Sequence, residues 1–215
     1  MAPDPPSLPY RGVLFDLLTA LLDSWTLWNQ AAGGPAAGLR WRKRYLDLTY
    51  GQGKYREYAS LVRQAAMEAS VPPVAPDALL EGWDALEPWP DAGSLLANLS
   101  VPFGVVTNCS DALAARAAAR LPIAPAIVIS AERAGAYKPD PRPYRLALHE
   151  LGLAAGEVAF VAGSPFDLPG AAGVGLATFW HNRLGLTRPP GFPSPVAETS
   201  TLAGLGQWLR EPVRR

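Results

Sequence analysis

Five short apolar runs, separated by helix-like segments, constrain the fold of this sequence more than any other feature. The runs cover residues 13–15, 103–107, 126–129, 158–162 and 176–180. Continuous apolar runs of this length are typical of parallel strands that are buried on both faces. The alanine- and leucine-rich segments between the later runs, at residues 110–121, 141–151 and 167–172, suit crossover helices. We therefore predict a doubly wound α/β fold with a parallel sheet of about five strands.

A long insert follows the first predicted strand. Residues 16–102 separate the first apolar run from the second, far more than one crossover requires, and five of the seven tryptophans lie between residues 22 and 89. Prolines at positions 88 and 90 are typical hinge residues. We predict a flexible N-terminal tail at residues 1–12, a core formed by residues 13–21 and 90–215, and a helical cap at residues 22–89. A proline-rich stretch, 187–195, predicts an ordered surface loop before a last helix at 201–209.

Composition narrows the function classes. The 19 basic and 19 acidic residues balance, which argues against nucleic acid or a membrane surface as a partner and favours a small neutral or singly charged substrate. The single cysteine, Cys109, excludes an internal disulfide and a zinc cluster and is consistent with a reducing cytoplasm. No run reaches the ~18 apolar residues of a membrane span or resembles a signal peptide. We expect a soluble, unprocessed, cytoplasmic protein.

A carboxylate stands at the end of the first predicted strand, where open α/β sheets bind their ligands. Asp16 directly follows the run at 13–15 and is therefore a candidate nucleophile. Taken alone, an aspartate after a strand is more often a turn or capping residue. Other residues must decide between the two interpretations.

Three later segments supply polar groups in the order that one active site would need. The second strand ends in Thr107 and Asn108, which can donate hydrogen bonds to a carboxylate or, alternatively, cap a helix. Lys138 precedes a proline, so an extended backbone could aim its ammonium inward, although a surface position is the common case. Ser164 and Asp167 follow the fourth strand, where capping of a helix would explain them equally well.

Together these segments resemble the four motifs of the haloacid dehalogenase superfamily. The motifs are Phe-Asp-x-x-x-x-Leu at 15–21, Thr-Asn-x-Ser at 107–110, Lys-Pro-Asp at 138–140, and a late strand that ends before Asp167. The resemblance spans the chain and implies a Rossmann-like parallel sheet with a helical cap. It also implies that Asp16 is the nucleophile, that Lys138 keeps it ionised, and that Thr107 and Asn108 orient it. Asp167 would hold Lys138 or help to position the hydrolytic water.

Two departures from the superfamily's phosphatases indicate the branch. The phosphatases carry a second aspartate two residues after the nucleophile, where this chain has Leu18, and an acid in the fourth motif, where it has Gly163. Leu18 cannot protonate a leaving alcohol, but halide leaves without a proton. Asp16 and Asp167 alone are poor ligands for a hard cation. We therefore predict a metal-independent enzyme without a cofactor, similar to the 2-haloacid dehalogenases.

The resemblance to 2-haloacid dehalogenases also suggests substrate contacts. Residues 41–49 are similar to the family's cap helix, and the match places the arginine that grips halide or carboxylate at Arg42; the alternative is a solvated charge run. Tyr144 matches an active-site tyrosine, although a core role is equally compatible with its position. The predicted substrate-binding residues are Leu18, Arg42, Asn108, Tyr144 and Ser164, for a small anionic substrate. Such dehalogenases are often dimers, so a homodimer is expected.

Further departures indicate weaker dehalogenase activity. Where the family usually has Gly-Thr, this chain has Thr19 and Ala20, and where dehalogenases carry Ser and Asn in the fourth motif it has Ala162 and Ser164. These changes predict the loss of a hydroxyl and an amide near the nucleophile. Hydrolysis of the ester is the most exposed step, since it needs an oriented water. A phosphatase of small phosphate esters and a catalytically weak binding protein are the alternatives.

Overall fold

The computed structural model describes residues 10–209, which form a six-stranded parallel sheet flanked by helices. The strands are β1 (Gly12–Asp16), β2 (Phe103–Thr107), β3 (Ile127–Ser130), β4 (Val158–Ala162), β5 (Ala177–His181) and β6 (Ala197–Thr199). The order across the sheet is β3-β2-β1-β4-β5-β6. Strands β2 and β3 therefore lie on one side of β1, and β4, β5 and β6 lie on the other. The strand order reverses at β1, and ligands bind at the carboxyl ends of the strands beside such a reversal.

The helices divide between the insert and the core. Those of the insert are α1 (Ser24–Ala31), α2 (Pro35–Thr49), α3 (Tyr58–Glu68) and α4 (Ala75–Glu81). Those of the core are α5 (Ala92–Ala97), α6 (Asp111–Ala118), α7 (Ala131–Ala134), α8 (Pro141–Leu151), α9 (Leu168–Gly173) and α10 (Leu202–Trp208). Among the described residues, no helix has both the length and the apolar character needed to cross a bilayer.

The α/β prediction is confirmed, and β2, β4 and α8 have the predicted bounds. The expected number of strands was too small, because β6 is a three-residue edge strand without an apolar run. It pairs in parallel with β5, with Phe179 opposite Ala197. Such a short, partly polar edge strand resembles a loop in sequence.

Side chains alternate along the central strands between two apolar layers. Val13 and Phe15 of β1 pack in the layer that includes residues of α5, α6 and α10, whereas Leu14 packs in the layer of α8 and α9. All five residues of β1, β2 and β4 are buried. This double burial explains why these strands appear in the sequence as continuous apolar runs.

The insert packs around a chain of aromatic rings. The ring centroids of Trp28 and Trp41 lie 4.6 Å apart, those of Trp28 and Tyr45 5.4 Å, and those of Tyr45 and Tyr58 5.5 Å. The Trp83 indole donates a hydrogen bond to the Leu113 carbonyl of α6 at 2.9 Å. Of the tryptophans that suggested a cap, Trp28 and Trp41 thus pack inside the insert, and Trp83 attaches the insert to α6.

The two connections between insert and core lie side by side. Leu22 and Pro88 form an antiparallel bridge, and the Asp23 amide donates to the Glu87 carbonyl at 2.8 Å. The predicted tail extended too far, because Tyr10 is buried against Phe179 and Gly12 belongs to β1. Residues 1–9 of that tail and residues 210–215 of the predicted core lie outside the described part of the chain.

Candidate active site

Asp16 is held at the tip of β1 by the turn that follows it. Residues Leu17–Leu21 form a single π-helical turn, in which the Leu22 amide donates to the Leu17 carbonyl at 3.0 Å. The Asp16 Oδ2 atom accepts hydrogen bonds from the Thr19 amide at 2.7 Å, the Thr19 hydroxyl at 2.5 Å and the Ala20 amide at 3.2 Å. Asp16 thus caps a turn, and this capping role does not exclude the interpretation of Asp16 as a nucleophile. Such turns are frequent at functional sites.

Lys138 lies between two buried carboxylates. Its Nζ atom is 2.6 Å from Asp16 Oδ1 and 3.0 Å from Asp167 Oδ1. The ammonium is almost completely buried, so it is an internal cation and not a surface lysine. This places three predicted catalytic residues in one hydrogen-bonded cluster.

The ionisation of the cluster follows from its charges. Burial would raise the pKa of Asp16, but the Lys138 ammonium and the Thr19 hydrogen bonds outweigh it and hold that pKa below its usual value. Burial would lower the pKa of Lys138, but the two carboxylates raise it. For Asp167, burial dominates over the Lys138 ammonium and raises the pKa to about 6. Asp16 is therefore ionised at neutral pH, whereas Asp167 can exchange a proton near it.

Asn108 positions the lysine. Its side-chain carbonyl accepts from the Lys138 amide at 2.7 Å, and its Nδ2 donates to the Lys138 carbonyl at 3.0 Å. The Tyr45 hydroxyl of the cap donates to the Asn108 carbonyl at 2.7 Å. Asn108 lines the cavity as predicted, but its amide is already bonded to the Lys138 backbone.

Arg42 of the cap turns inward, unlike the exposed Arg40 and Lys43 of the same charge run. Its Nη1 donates to the Ser24 hydroxyl at 3.0 Å, and its guanidinium carbon lies 4.0 Å from the centroid of the Trp25 ring. Burial lowers the pKa of Arg42 to about 10, so it keeps its charge at pH 7. Within residues 10–209 it forms no ion pair with a carboxylate. A buried guanidinium without an ion-pair partner has the geometry and charge to bind an anion.

A cavity of about 50 Å³ joins these groups, with room for a few water molecules or a small acid. The predicted site residues that line it are Asp16, Leu18, Arg42, Asn108, Lys138, Ser164 and Asp167. Ser164 also caps the turn Pro165–Asp167, since its hydroxyl accepts from the Phe166 amide at 3.4 Å. Its predicted capping role and its place in the site are therefore compatible.

Two predicted residues do not line the cavity. Tyr144 is completely buried, and its ring contacts Phe160 edge-on. Its hydroxyl donates to the backbone carbonyl of Asp167 at 3.2 Å, so Tyr144 supports the backbone of Asp167. Thr107 is also completely buried, and its hydroxyl lies 3.7 Å from the Cys109 sulfur and makes no bond to Asp16. The prediction that these two residues contact substrate or orient the nucleophile is wrong.

Several lining residues were not predicted: Thr19, Trp28, Tyr45, Leu46, Thr49, Tyr50, Tyr58 and Phe166. Arg42, Tyr45, Leu46 and Thr49 follow the i, i+3, i+4, i+7 spacing of one helix face, a signal that could have identified the last three. The expected loss of a hydroxyl near the nucleophile is corrected as well, because Thr19 supplies one.

Aromatic rings from three segments meet beside the cavity. Tyr50 at the end of α2 stacks on Phe192 with a centroid distance of 6.2 Å, and both rings contact Phe166 edge-on at 6.0 and 5.9 Å. Phe192 belongs to the proline-rich loop 187–195. The loop and the cap thus contact each other beside the fourth motif.

The residues of this cluster do not fit a magnesium ion. The Lys138 ammonium occupies the space between Asp16 and Asp167. The side chain of Leu18 offers no oxygen to a cation, and Gly163 has no side chain. The arrangement instead combines a carboxylate paired with an ammonium, a second carboxylate that can take a proton, and the separate buried guanidinium of Arg42.

Comparison with known proteins agrees with this geometry. The family model for haloacid dehalogenase-like hydrolases matches residues 11–175. The (S)-2-haloacid dehalogenase 1 of Pseudomonas sp. (strain CBS-3) is 30% identical over 220 residues, covering 94% of this chain and 97% of that protein. The (S)-2-haloacid dehalogenase 4A of Burkholderia cepacia is 29% identical over 199 residues, covering 84% and 85%.

A solved structure extends the comparison to three dimensions. The crystal structure of an L-2-haloacid dehalogenase superposes with a TM-score of 0.83 at 25% identity, covering 94% of this chain and 99% of that one. The likeness in fold thus agrees with the sequence match. This protein belongs to the haloacid dehalogenase-like hydrolase family.

Proposed function

We propose that this protein hydrolyses the carbon–halogen bond of a small 2-haloacid through an ester on Asp16. The observation that carries the proposal is a buried carboxylate, held ionised by Lys138 at 2.6 Å, that shares a small cavity with the uncompensated Arg42. A buried carboxylate that a neighbouring ammonium keeps ionised can act as a nucleophile towards carbon. The Arg42 guanidinium supplies the positive charge that binds the carboxylate of the 2-haloacid.

The first step is displacement at carbon. Asp16 Oδ1 attacks the carbon that bears the halogen, the carbon–halogen bond breaks with its electron pair, and halide leaves without a proton. This step explains why Leu18 can stand where an acid would be needed to protonate an alcohol. Lys138 compensates the charge of Asp16 before the attack and, after it, remains bonded to Asp167.

The second step is hydrolysis of the ester. Asp167 is the group that can accept a proton from water, because its Oδ2 has no hydrogen-bond partner among the described residues and its pKa is raised to about 6. Lys138 cannot be that base, since its pKa is raised by the same carboxylates. Asp167 takes one proton from the water as the water oxygen attacks Cγ of Asp16, the bond from Cγ to Oδ1 breaks, and that proton passes to Oδ1 of the released hydroxy acid. The second proton of the water leaves to solvent from the new Asp16 carboxyl group.

A substrate panel tests this function. Chloroacetate, 2-chloropropionate and an aryl phosphate are each incubated with the protein, with and without EDTA, while halide and phosphate are measured. Halide release that EDTA does not change is expected, because the Lys138 ammonium occupies the space between the two carboxylates. Phosphate release that EDTA abolishes would support the phosphatase alternative instead.

Substitution of Arg42 by lysine should weaken substrate binding. Lysine keeps the charge but loses the planar donor fork, and hydrogen bonds to charged groups contribute about 1.5–3 kcal/mol. The expected result is a KM for 2-chloropropionate that is about 10- to 100-fold higher. Arg40→Lys, an identical change at an exposed position of the same helix, is the control and should leave KM unchanged. Equal KM values for both variants would contradict the role of Arg42.

Turnover should fall in acid. Asp167 acts as a base only when it is ionised, so kcat decreases as pH falls through its pKa. The midpoint should be no higher than about 6, because the ester removes the neighbouring charge of Asp16. A pH profile of kcat measures this limb, and the limb should disappear in Asp167→Asn. The same acid limb in the unmodified protein and in Asp167→Asn would contradict the role of Asp167 as the base.

We also infer a cytoplasmic location and a homodimer. The inference of location is supported by the single cysteine, which is buried and whose pKa burial raises to about 12, so it is an unreactive thiol. The dimer is carried over from the family resemblance. Light scattering of the purified protein tests it: a monomeric mass would contradict the inference.

A further inference from the structure

The two oxygens of Asp16 have different surroundings. Oδ2 receives three donors from the turn after β1, the Thr19 amide, the Thr19 hydroxyl and the Ala20 amide. Oδ1 receives the Lys138 ammonium. A carboxylate oxygen has about two lone-pair directions, so Oδ2 is saturated by the turn. Oδ1 is therefore the oxygen that attacks substrate, and Oδ2 becomes the carbonyl oxygen of the ester.

We propose that Thr19 and the Ala20 amide form an oxyanion hole for hydrolysis of the ester on Asp16, and that Gly163 lacks a side chain to make room for it. This assignment rests on the proposed dehalogenase function. When water attacks Cγ, negative charge develops on Oδ2, where the three donors already point. Donors that are in place before the reaction stabilise such a charge most effectively.

The peptide unit between Thr19 and Ala20 is held at both ends. Its carbonyl accepts a hydrogen bond from the Trp89 indole at 3.0 Å, while its amide donates to Asp16 Oδ2. The next carbonyl, that of Ala20, lies 2.9 Å from Nδ1 of His181. Burial lowers the pKa of His181, so the ring is neutral at pH 7 and donates from this nitrogen. Two buried side chains thus fix the direction of the donors from behind.

Gly163 completes the arrangement at the end of β4. A Cβ atom at this position would overlap the Thr19 carbonyl carbon, the Ala20 nitrogen and the Thr19 hydroxyl. The turn therefore leaves no room for a side chain at the position where the resemblance places an acid in the phosphatases of the superfamily. Thr19 and Gly163 are a matched pair, and the hydroxyl replaces the one that the family places at the position of Ala20.

The assignment predicts a specific kinetic defect in Thr19→Ala. The backbone donors remain, but loss of one oxyanion-hole donor should slow hydrolysis of the ester about 100-fold. Attack on substrate should not slow, because Asp16 loses a hydrogen bond that stabilised its anion. Rapid mixing with chloroacetate should then release one halide per protein in a burst, and mass spectrometry should detect the ester on the peptide that contains Asp16. Thr19→Ser, which restores the hydroxyl, should restore turnover and remove the burst.

Gly163→Ala is an independent variant, since the added methyl group displaces the turn and should also cause the ester to accumulate. If it does not fold, the pair of Thr19 variants remains decisive. Two results for Thr19→Ala would overturn the oxyanion hole: an unchanged turnover, or a burst and a turnover that fall equally without accumulation of the ester. In either case, halide release by the unmodified protein would still support the proposed function. No halide release by the unmodified protein would overturn both.

Discussion

Replacing Asp16 by asparagine should lower halide release by more than about 10³-fold, because the neutral amide cannot form the ester. Asparagine has nearly the same shape, and it can still accept hydrogen bonds from the Thr19 amide and hydroxyl. The fold should therefore persist. Halide release and circular dichroism, measured on the same preparation, separate loss of chemistry from loss of structure.

The matched control is Asp77→Asn, the same chemical change at an exposed acid paired with Arg63 on the cap surface. It should leave halide release unchanged, since an exposed ion pair contributes little. Should Asp16→Asn retain more than about a tenth of the activity, the nucleophile would have to be another group.

Replacing Lys138 by methionine should destabilise the protein as well as inactivate it. Removal of one partner from a buried ion pair typically costs about 3–5 kcal/mol, because the remaining charges have no compensation. Here two carboxylates, Asp16 and Asp167, would lose their shared cation. Urea denaturation at pH 7 should show this loss in the free energy of unfolding, with halide release lost as well.

The destabilisation should also depend on pH. Without the ammonium, burial raises the pKa of both carboxylates above their unfolded values, so the variant folds best where they are protonated. Its stability should fall between pH 5 and 8. In the unmodified protein the pKa of Asp16 is lowered, so its effect on stability has the opposite dependence on pH. This stabilisation is present at neutral pH and is lost in acid. Lys43→Met, at an exposed position of α2, should change neither the free energy of unfolding at pH 7 nor its dependence on pH. A variant of Lys138 as stable as this control would contradict the buried cluster.

The sheet and the catalytic cluster were accessible from sequence for a physical reason. Strands buried on both faces must be apolar throughout, so β2 and β4 stand out without an alignment. A parallel sheet brings the carboxyl ends of its strands to one edge, which is why Asp16 and Asp167 could be assigned to one site. Strand β6 lacks that constraint, since it lies at the edge of the sheet.

The details of the site depend on contacts that motif spacing does not encode. Thr107 and Thr19 are both hydroxyl residues near a strand end, and the sequence favoured the former, but only the latter reaches Asp16. The difference arises because the chain after β1 forms a π-helical turn, which directs the residue three positions after Asp16 back onto its carboxylate. The π-helical turn also requires Gly163, because a side chain at that position would overlap the turn. Gly163 lies 147 positions after Asp16 in the sequence.

Tyr144 illustrates the opposite case, in which a family position suggested more than the geometry allows. Its hydroxyl contacts the Asp167 backbone, so the residue is near the reaction but is separated from the cavity by the groups it supports. The position of a residue in a motif does not show whether the residue belongs to the core or to the site. A helix that positions a catalytic strand buries aromatic residues of its own, and these can lie close to the site without lining it.

One measurement tests the central claim that Asp16 forms an ester with the substrate carbon. An excess of protein reacts with 2-chloropropionate in water labelled with ¹⁸O for a single turnover, after which the product and the peptide that contains Asp16 are analysed by mass spectrometry. We expect ¹⁸O in the Asp16 carboxylate and none in the hydroxy acid, whose new oxygen comes from Oδ1. Label in the hydroxy acid and none in Asp16 would show direct attack by water and contradict it.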